Sequence, residues 1–241
     1  LEERDSSHRG VIIACAILGI WAISLLTLLS IDALKLPIAV RLAAIVWQTF
    51  LYTGLFITAH DAMHGAVAPR NPKLNNFLGS LSLILYALFS FKSLVRTHWQ
   101  HHQNPASELD PDYHNGRTTN PISWYFQFMN RYWSWIRFFY LVCTYHVIRL
   151  AFGVHSENLT WFWLIPAIAS SGQLFFFGTY LPHREPEGGY KNESRAQNSG
   201  WSTFWSFISC YHFGYHEEHH DKPHLPWWKL PEAYAEKLKA S

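Results

Sequence analysis

Fixed charge is scarce in this chain. Asp, Glu, Lys and Arg make up 15% of its 241 residues, against about 25% in a typical water-soluble domain. That deficit excludes an ordinary soluble surface and implies that much of the exterior meets lipid. Cysteine is scarcer still. Cys15, Cys143 and Cys210 stand apart in apolar or aromatic surroundings with no CxxC pair, which excludes a disulfide framework, a thiolate metal site and an iron–sulfur cluster. There is no GxGxxG dinucleotide fingerprint. Nor is there a basic run, and a formal charge of +2 leaves no electrostatic footprint for nucleic acid. The mean hydropathy of −0.05 understates the apolar character, because fifteen His, twelve Trp and twelve Tyr lower it without adding fixed charge.

What the chain does have is long apolar runs and many histidines. A spanning helix needs about 20 apolar residues. Residues 11–31, "VIIACAILGIWAISLLTLLSI", meet that length without a charge, and residues 38–59 meet it with Arg41 at the start, where it can snorkel to the interface. The run at 11–31 is long for a signal-peptide core and lacks a small-residue cleavage pattern, so it reads as a retained anchor. Residues 135–153 and 159–181 form a second pair joined by the brief "VHSEN". The run at 74–91 is shorter and interrupted by Asn, Gly and Ser; it reads as re-entrant or interfacial. If it crossed fully, His60 and His64 would face the opposite side of the bilayer from His98, His101 and His102. Basic residues set the orientation. With a cytoplasmic N-terminus the two hairpin tips carry or adjoin only Lys35, Arg41 and Arg149, and the other sixteen of the nineteen Lys and Arg lie inside. The expectation is one multi-pass domain over 1–241 with four crossings and both termini cytoplasmic.

Nine of the fifteen histidines fall in four groups. "HDAMHG" places His60 and His64 at i, i+4. "HWQHH" places His98, His101 and His102 at i, i+3, i+4, and "HEEHH" places His216, His219 and His220 likewise. "YLPHR" sets His183 just past the last apolar run. Residues three and four apart share a helix face, so each cluster aims two or three imidazoles at one point. A single HxxxH is often coincidence; three such motifs bordering apolar segments in one chain are not. Nine imidazoles exceed the needs of one tetrahedral zinc and suit two metals, each with a position left for an exogenous ligand. His216 to His220 also match HExxH, in which Glu217 would be the general base of a zinc protease, but that reading leaves the other motif histidines idle. A metal transporter would need polar groups along the spans, and the first two offer few.

HxxxH, HxxHH and HxxHH on a four-span scaffold resemble the membrane fatty-acid desaturase/hydroxylase superfamily of histidine-rich di-iron enzymes. "HDAMHG", "HWQHHQNPASELDPD", "FGTYLPHR" and "HEEHHDKPHLPWWKLP" resemble its carotenoid ketolase branch, over about residues 38–231. The resemblance implies an all-α membrane bundle with a cytosolic His-rich cap that holds two irons. The implied ligands are His60, His64, His98, His101, His102, His183, His216, His219 and His220. It further implies that O2 is a co-substrate and that keto groups are placed at C4 and C4′ of β-carotene by two hydroxylations and a dehydration. Zinc is redox-inert and does not suit that chemistry. With no reductase motif in the chain, electrons come from outside, from ferredoxin or a similar reductase system. Carotenoid 3-hydroxylase, fatty-acid desaturase and alkane hydroxylase share the motifs and stay open as alternatives. Asp110 and Asp112 either orient ligand imidazoles from behind or make a Pro-containing turn; the resemblance favours the former. Asp61, Glu217 and Glu218 are further carboxylates for such a role, and His212 is a ligand or a neighbour of one.

Overall fold

The computed structural model describes residues 2–240, with side chains from His8 onward. Its regular structure is helical, with no strand among the described residues. Helix α1 (Glu2–Ser30) contains an apolar stretch, His8–Ser30, of 23 residues. Helix α2 (Ile38–Met63) has 26 residues and α7 (Ser156–His183) has 28. At 1.5 Å per residue the three measure about 34, 39 and 42 Å, enough to cross a hydrocarbon core of about 30 Å. They match the expected runs at 11–31, 38–59 and 159–181. In α2 and α7 the excess length carries histidines past the apolar stretch.

The tip between α1 and α2 is tied to the start of α7. Buried Asn158 donates its side-chain amide to the carbonyls of Leu28, Leu29 and Ile31 and accepts from Ala33 N–H. One residue thereby satisfies carbonyls that the end of α1 leaves without helical partners. Deeper in the bundle, Thr53 of α2 meets Ser170 Oγ at 2.9 Å and donates to Gln173 Oε1 of α7 at 2.6 Å. The main core gathers Ile17, Trp21, Leu51, Tyr52, Leu55, Tyr86, Tyr211 and Phe213. The outer faces are also apolar, with Ile12, Ile23, Leu26, Val46 and Leu150 exposed, as a lipid-facing surface requires.

The ambiguous run at 74–91 becomes a helix and a corner. Helix α3 (Pro72–Ala87) starts behind Asn71, whose side chain accepts from Leu74 N–H. It stops at Leu88, where φ is +55°. Ser90 then caps α4 (Phe91–Gln103), which leaves at 98° to α3. Sixteen residues reach only about 24 Å, and the sharp bend turns α4 nearly perpendicular to α3. Gly79 makes this corner possible, because a Cβ there would lie 2.4 Å from the Phe91 ring and 2.7 Å from Ala62 Cβ.

Helix α5 (Pro121–Arg131), capped by Asn120, leads through Ser134 into α6 (Trp135–Ala151). With 17 residues α6 measures about 25 Å, shorter than the expected run at 135–153 because Gly153 turns out at φ +65°. None of its side chains is buried. Within α7, Thr160–Leu164 and Phe176–Tyr180 are π-helical. Each widened turn lies just before a proline, Pro166 or Pro182, which lacks the N–H that an α-helix would use there. Short helices α8 (Thr203–Cys210), α9 (His216–Asp221) and α10 (Leu230–Ala240) complete the chain.

Candidate metal centre

Four elements deliver the histidines. His60 lies in the last turn of α2 and His64 caps it. His98, His101 and His102 share one side of α4, His183 is the last residue of α7, and His216, His219 and His220 lie on α9. They assemble into two groups, His60, His64, His98, His102 and His219 in one and His101, His183, His216 and His220 in the other. In each group one ring nitrogen from every residue lies within 4.8 Å of the rest. The groups share a wall, where the His102 and His220 rings stack at 4.2 Å.

The nitrogen spacing fits metal ligation. In the five-membered group Nε2 of His98 is 2.7 Å from that of His64 and 3.2 Å from that of His102, which is 3.1 Å from Nε2 of His219. In the four-membered group His101 and His220 approach to 3.2 Å and His183 and His216 to 3.0 Å. For a metal–imidazole bond of about 2.1 Å, ligands at right angles stand about 3.0 Å apart and tetrahedral ones about 3.4 Å. The donor chemistry agrees. His101 Nδ1 lies 2.9 and 3.0 Å from the two Asp110 carboxylate oxygens, and His183 Nδ1 donates to the Arg195 carbonyl at 2.9 Å. Those bonds commit Nδ1 as the donor and leave a lone pair on Nε2. Nε2 lone pairs converging in a buried space need a cation between them. Burial, and then the neighbouring imidazoles, hold His216, His219 and His220 well below the usual histidine pKa. They therefore stay neutral, the state a ligand requires.

The carboxylates divide by role. Asp110 is buried; its oxygens also accept from Ala106 N–H and Asp112 N–H, both at 2.8 Å. Burial opposes ionisation there, but the His101 contact and these amides outweigh it and hold the pKa below the ordinary value. Asp110 thus stands behind the His101 ring and also closes the turn, so its contacts meet both of the alternatives that the sequence left. Asp112 takes a hydrogen bond from Tyr132 and stands 4.0 Å from His101 Nδ1. Burial, then the charge of Asp110, push its pKa up against the pull of His101. Asp61 Oδ2 accepts from Trp227 N–H at 3.0 Å, which ties "PWWKLP" to the end of α2. Glu217 points away from the histidines, toward Lys237 at 2.9 Å and the Asn198 side chain. That orientation removes the general base of the zinc-protease alternative. Glu218 also faces Lys237, at 3.6 Å. His212 lies outside both groups, against Phe207, Tyr215 and Trp227.

Sequence reasoning missed Tyr132 and Arg195. A lone tyrosine and a backbone carbonyl carry no spacing signal. It also missed the extent of a cavity of about 680 Å³ that opens from His60, His98, His101, His216 and Asp112. Its walls come from α2, α3, α5, α6 and α7, with Phe56, Phe89, Phe128, Leu141, Ala167 and Leu174 among them, and its far end reaches Tyr145 and His146. The size lies within the roughly 300–1,000 Å³ of small-molecule pockets.

The fatty acid desaturase family model matches residues 36–155 and 115–240. The chain belongs to that family. Among its relatives is a beta-carotene ketolase of Paracoccus sp. (strain N81106 / MBIC 01143), 38% identical over 233 residues that cover 96% of this chain and 94% of that protein. The beta-carotene ketolase of Paracoccus sp. (strain PC1) is 39% identical over 221 residues, 91% and 89% of the two chains. The zeaxanthin 4-ketolase of Chlamydomonas reinhardtii is 40% identical over 237 residues. This desaturase-family chain spans about half of that algal protein, 52%, with 92% of its own length aligned.

Proposed function

We propose that this chain is an O2-dependent di-iron oxygenase that introduces keto groups at C4 and C4′ of β-carotene. The observation that carries the reading is the placement of two converged histidine groups at the polar end of a long apolar cavity. Relatives named as beta-carotene ketolases, aligned over nearly their whole length, supply the substrate. His60, His64, His98, His102 and His219 would hold one iron and His101, His183, His216 and His220 the other. When bound, the iron pair supplies dioxygen activation and removal of an allylic hydrogen.

The chain's own residues bind, orient and shield. The apolar walls hold the polyene and a ring, and exclude water from the reacting carbon. Asp110 and the Arg195 carbonyl fix two ligand tautomers. The Asp112 carboxyl faces the cavity beside His101, and burial raises its pKa. Each hydroxylation consumes one O2, two electrons and two protons, leaving one oxygen on carbon and one in water. A second round at the same carbon gives a geminal diol, which loses water to the ketone. The electrons come from an external donor, ferredoxin or a similar reductase system.

Chain parity supports four crossings with a cap on one side. His64 and His98 meet, so the chain between them returns to one level. Asn158 ties the start of α7 to the end of α1, at the opposite level from His183. Helix α6 leaves the site level, where Tyr132 meets Asp112, and arrives at the start of α7. It therefore traverses the bilayer, the residues flanking it making up its short length. We place the His-rich cap and both termini on the cytoplasmic side, by the distribution of Lys and Arg.

The test is the pigment profile of a β-carotene-accumulating bacterium that expresses the chain. Echinenone and canthaxanthin are the expected products. Hydroxylated carotenoids would move the target carbon, and unchanged β-carotene with iron bound would overturn the substrate. His98→Ala and His219→Ala should each lose iron and activity; retained turnover would refute the ligand assignment.

A further inference from the structure

Electrons must reach nine histidines of which five are buried and four, His64, His98, His102 and His220, are partly exposed. His101 is backed by Asp110, and His183, 1% exposed, by the Arg195 carbonyl. His60 packs against Phe213, itself buried. Trp99 differs. It is 37% exposed, and its ring lies 5.1 Å from that of His64 and 5.7 Å from that of His102. Among the described residues, Phe213 and Trp99 are the two non-histidine rings in contact with the nine histidines, and only Trp99 reaches the surface.

The surface around Trp99 is basic. Lys92 and Arg96 precede it by seven and three residues, so all three share a face of α4, and all three are exposed. Helix α4 contains no acidic residue. Arg70 and Lys73 lie exposed in the segment entering α3, which flanks the start of α4 because Val67, Leu74 and Phe91 pack in one cluster. On the other flank, Gln100 holds the Leu109 carbonyl, and that loop adds one exposed carboxylate, Glu108. Among these described residues the exposed charges are four basic and one acidic.

The geometry points to the exposed face of α4, Lys92–Arg96–Trp99, as the docking site of an acidic one-electron carrier protein, with Trp99 as the contact through which electrons pass to His64 and His102. The inference rests on the oxygenase reading. Each turnover, R–H + O2 + 2 e⁻ + 2 H⁺ → R–OH + H2O, draws its two electrons singly from the reduced carrier, which is oxidised, and no bond to Trp99 forms or breaks. Charge on the rim steers and orients the carrier, and the indole offers it an exposed ring in contact with both His64 and His102.

The probe is an acidic [2Fe–2S] ferredoxin, used with the iron-loaded protein in lipid nanodiscs. Affinity is measured against ionic strength, and iron reduction is followed with reduced ferredoxin and, separately, with dithionite. The double substitution Lys92→Glu, Arg96→Glu is expected to weaken ferredoxin binding about tenfold at low salt and to flatten its salt dependence. Trp99→Leu is expected to keep affinity, iron content and the dithionite rate while slowing reduction by ferredoxin about tenfold or more. Unaltered binding by the double variant overturns the docking site, whatever the state of the iron. An unchanged ferredoxin rate in Trp99→Leu, or equal slowing with both reductants, overturns the role of the indole. If Trp99→Leu loses iron, Trp99→Phe keeps a ring against His64 and is read in the same way. A wild-type protein that binds and oxidises ferredoxin yet leaves β-carotene unchanged would refute the substrate and leave the docking face standing.

Discussion

Replacing Asp110 with Asn tests whether a group behind the ligands governs the metal. The Asp110 carboxylate faces His101 Nδ1 with both oxygens, at 2.9 and 3.0 Å, and accepts two backbone N–H groups at 2.8 Å. An amide of the same shape has one oxygen and one NH2. Either the NH2 meets a backbone N–H, or it meets the ring N–H and forces His101 into the tautomer with its proton on Nε2. The second outcome turns a ligand lone pair into a donor. A hydrogen bond to a charged group contributes about 1.5–3 kcal/mol net, and each 1.4 kcal/mol is tenfold. The affinity of the His101, His183, His216 and His220 group should therefore fall about 10–100-fold, the range found for partners that orient ligand histidines. The assay is iron per chain after challenge with a graded chelator series, alongside keto-carotenoid output. The Asp110→Asn protein should release one of its two irons at lower chelator strength and lose most product. Two irons held with wild-type resistance, together with full turnover, would refute the reasoning.

Four further outcomes follow from the geometry. Glu217→Gln should retain ketone formation, because Glu217 serves an ion pair with Lys237 of about 1 kcal/mol or less; abolished activity with iron retained would revive the HExxH alternative. Ala167→Phe fills the cavity wall and should lower product by more than tenfold at unchanged iron content, with full activity counting against the cavity as the substrate's place. Gly79→Ala pushes a methyl into Phe91 and Ala62 and should cost about 1–3 kcal/mol, seen as a lower melting temperature together with weaker iron retention. His212 is buried and lowered to about 4, against about 6.5 when unfolded. The unfolded chain therefore takes up the proton first, so this contribution is complete above about pH 6.5 and is lost as pH falls toward 4, about 3 kcal/mol at most. His212→Asn, which tolerates the residue's φ of +66°, should flatten the melting temperature against pH over that window; parallel curves would refute the assignment.

The three long helices were legible because a run of about 20 uncharged apolar residues has few alternatives in water or lipid. Their ends were not. Helix α2 runs on to Met63 because His60 and Asp61 find partners in other elements, a ring cluster and Trp227 N–H, and no local propensity records that. Helix α6 came out shorter than its apolar run because a glycine ends it. The i, i+3, i+4 spacing gave the motif histidines as three clusters. How they sort was not readable, since His101 and His102 are neighbours on α4 yet fall in different groups. Adjacent residues on a helix point about 100° apart, so one HxxHH motif contributes to both groups and cannot be assigned whole to either. His183 was singled out by its place just past the last apolar run and by the family resemblance, and its partner, the Arg195 carbonyl, through nothing in the sequence.

The same geometry decides where on a long substrate the chemistry can fall. His60 and His183 occupy the final turns of two membrane-spanning helices, so both histidine groups sit at a depth set by helix length rather than by a loop. The cavity begins at that level and runs along α6 and α7 toward Tyr145 and His146. On the proposed function, an elongated apolar molecule entering from lipid would be held by its length against the far end, leaving only the carbon beside His98 and His101 open to attack. Shortening the cavity should accordingly shift or abolish the position of oxidation without touching the histidines, whereas altering the histidines should abolish oxidation at every position. A variant such as Ala167→Phe that keeps both irons and yields a carotenoid oxidised at a different carbon would show that the ruler and the oxidant are separable parts of one bundle.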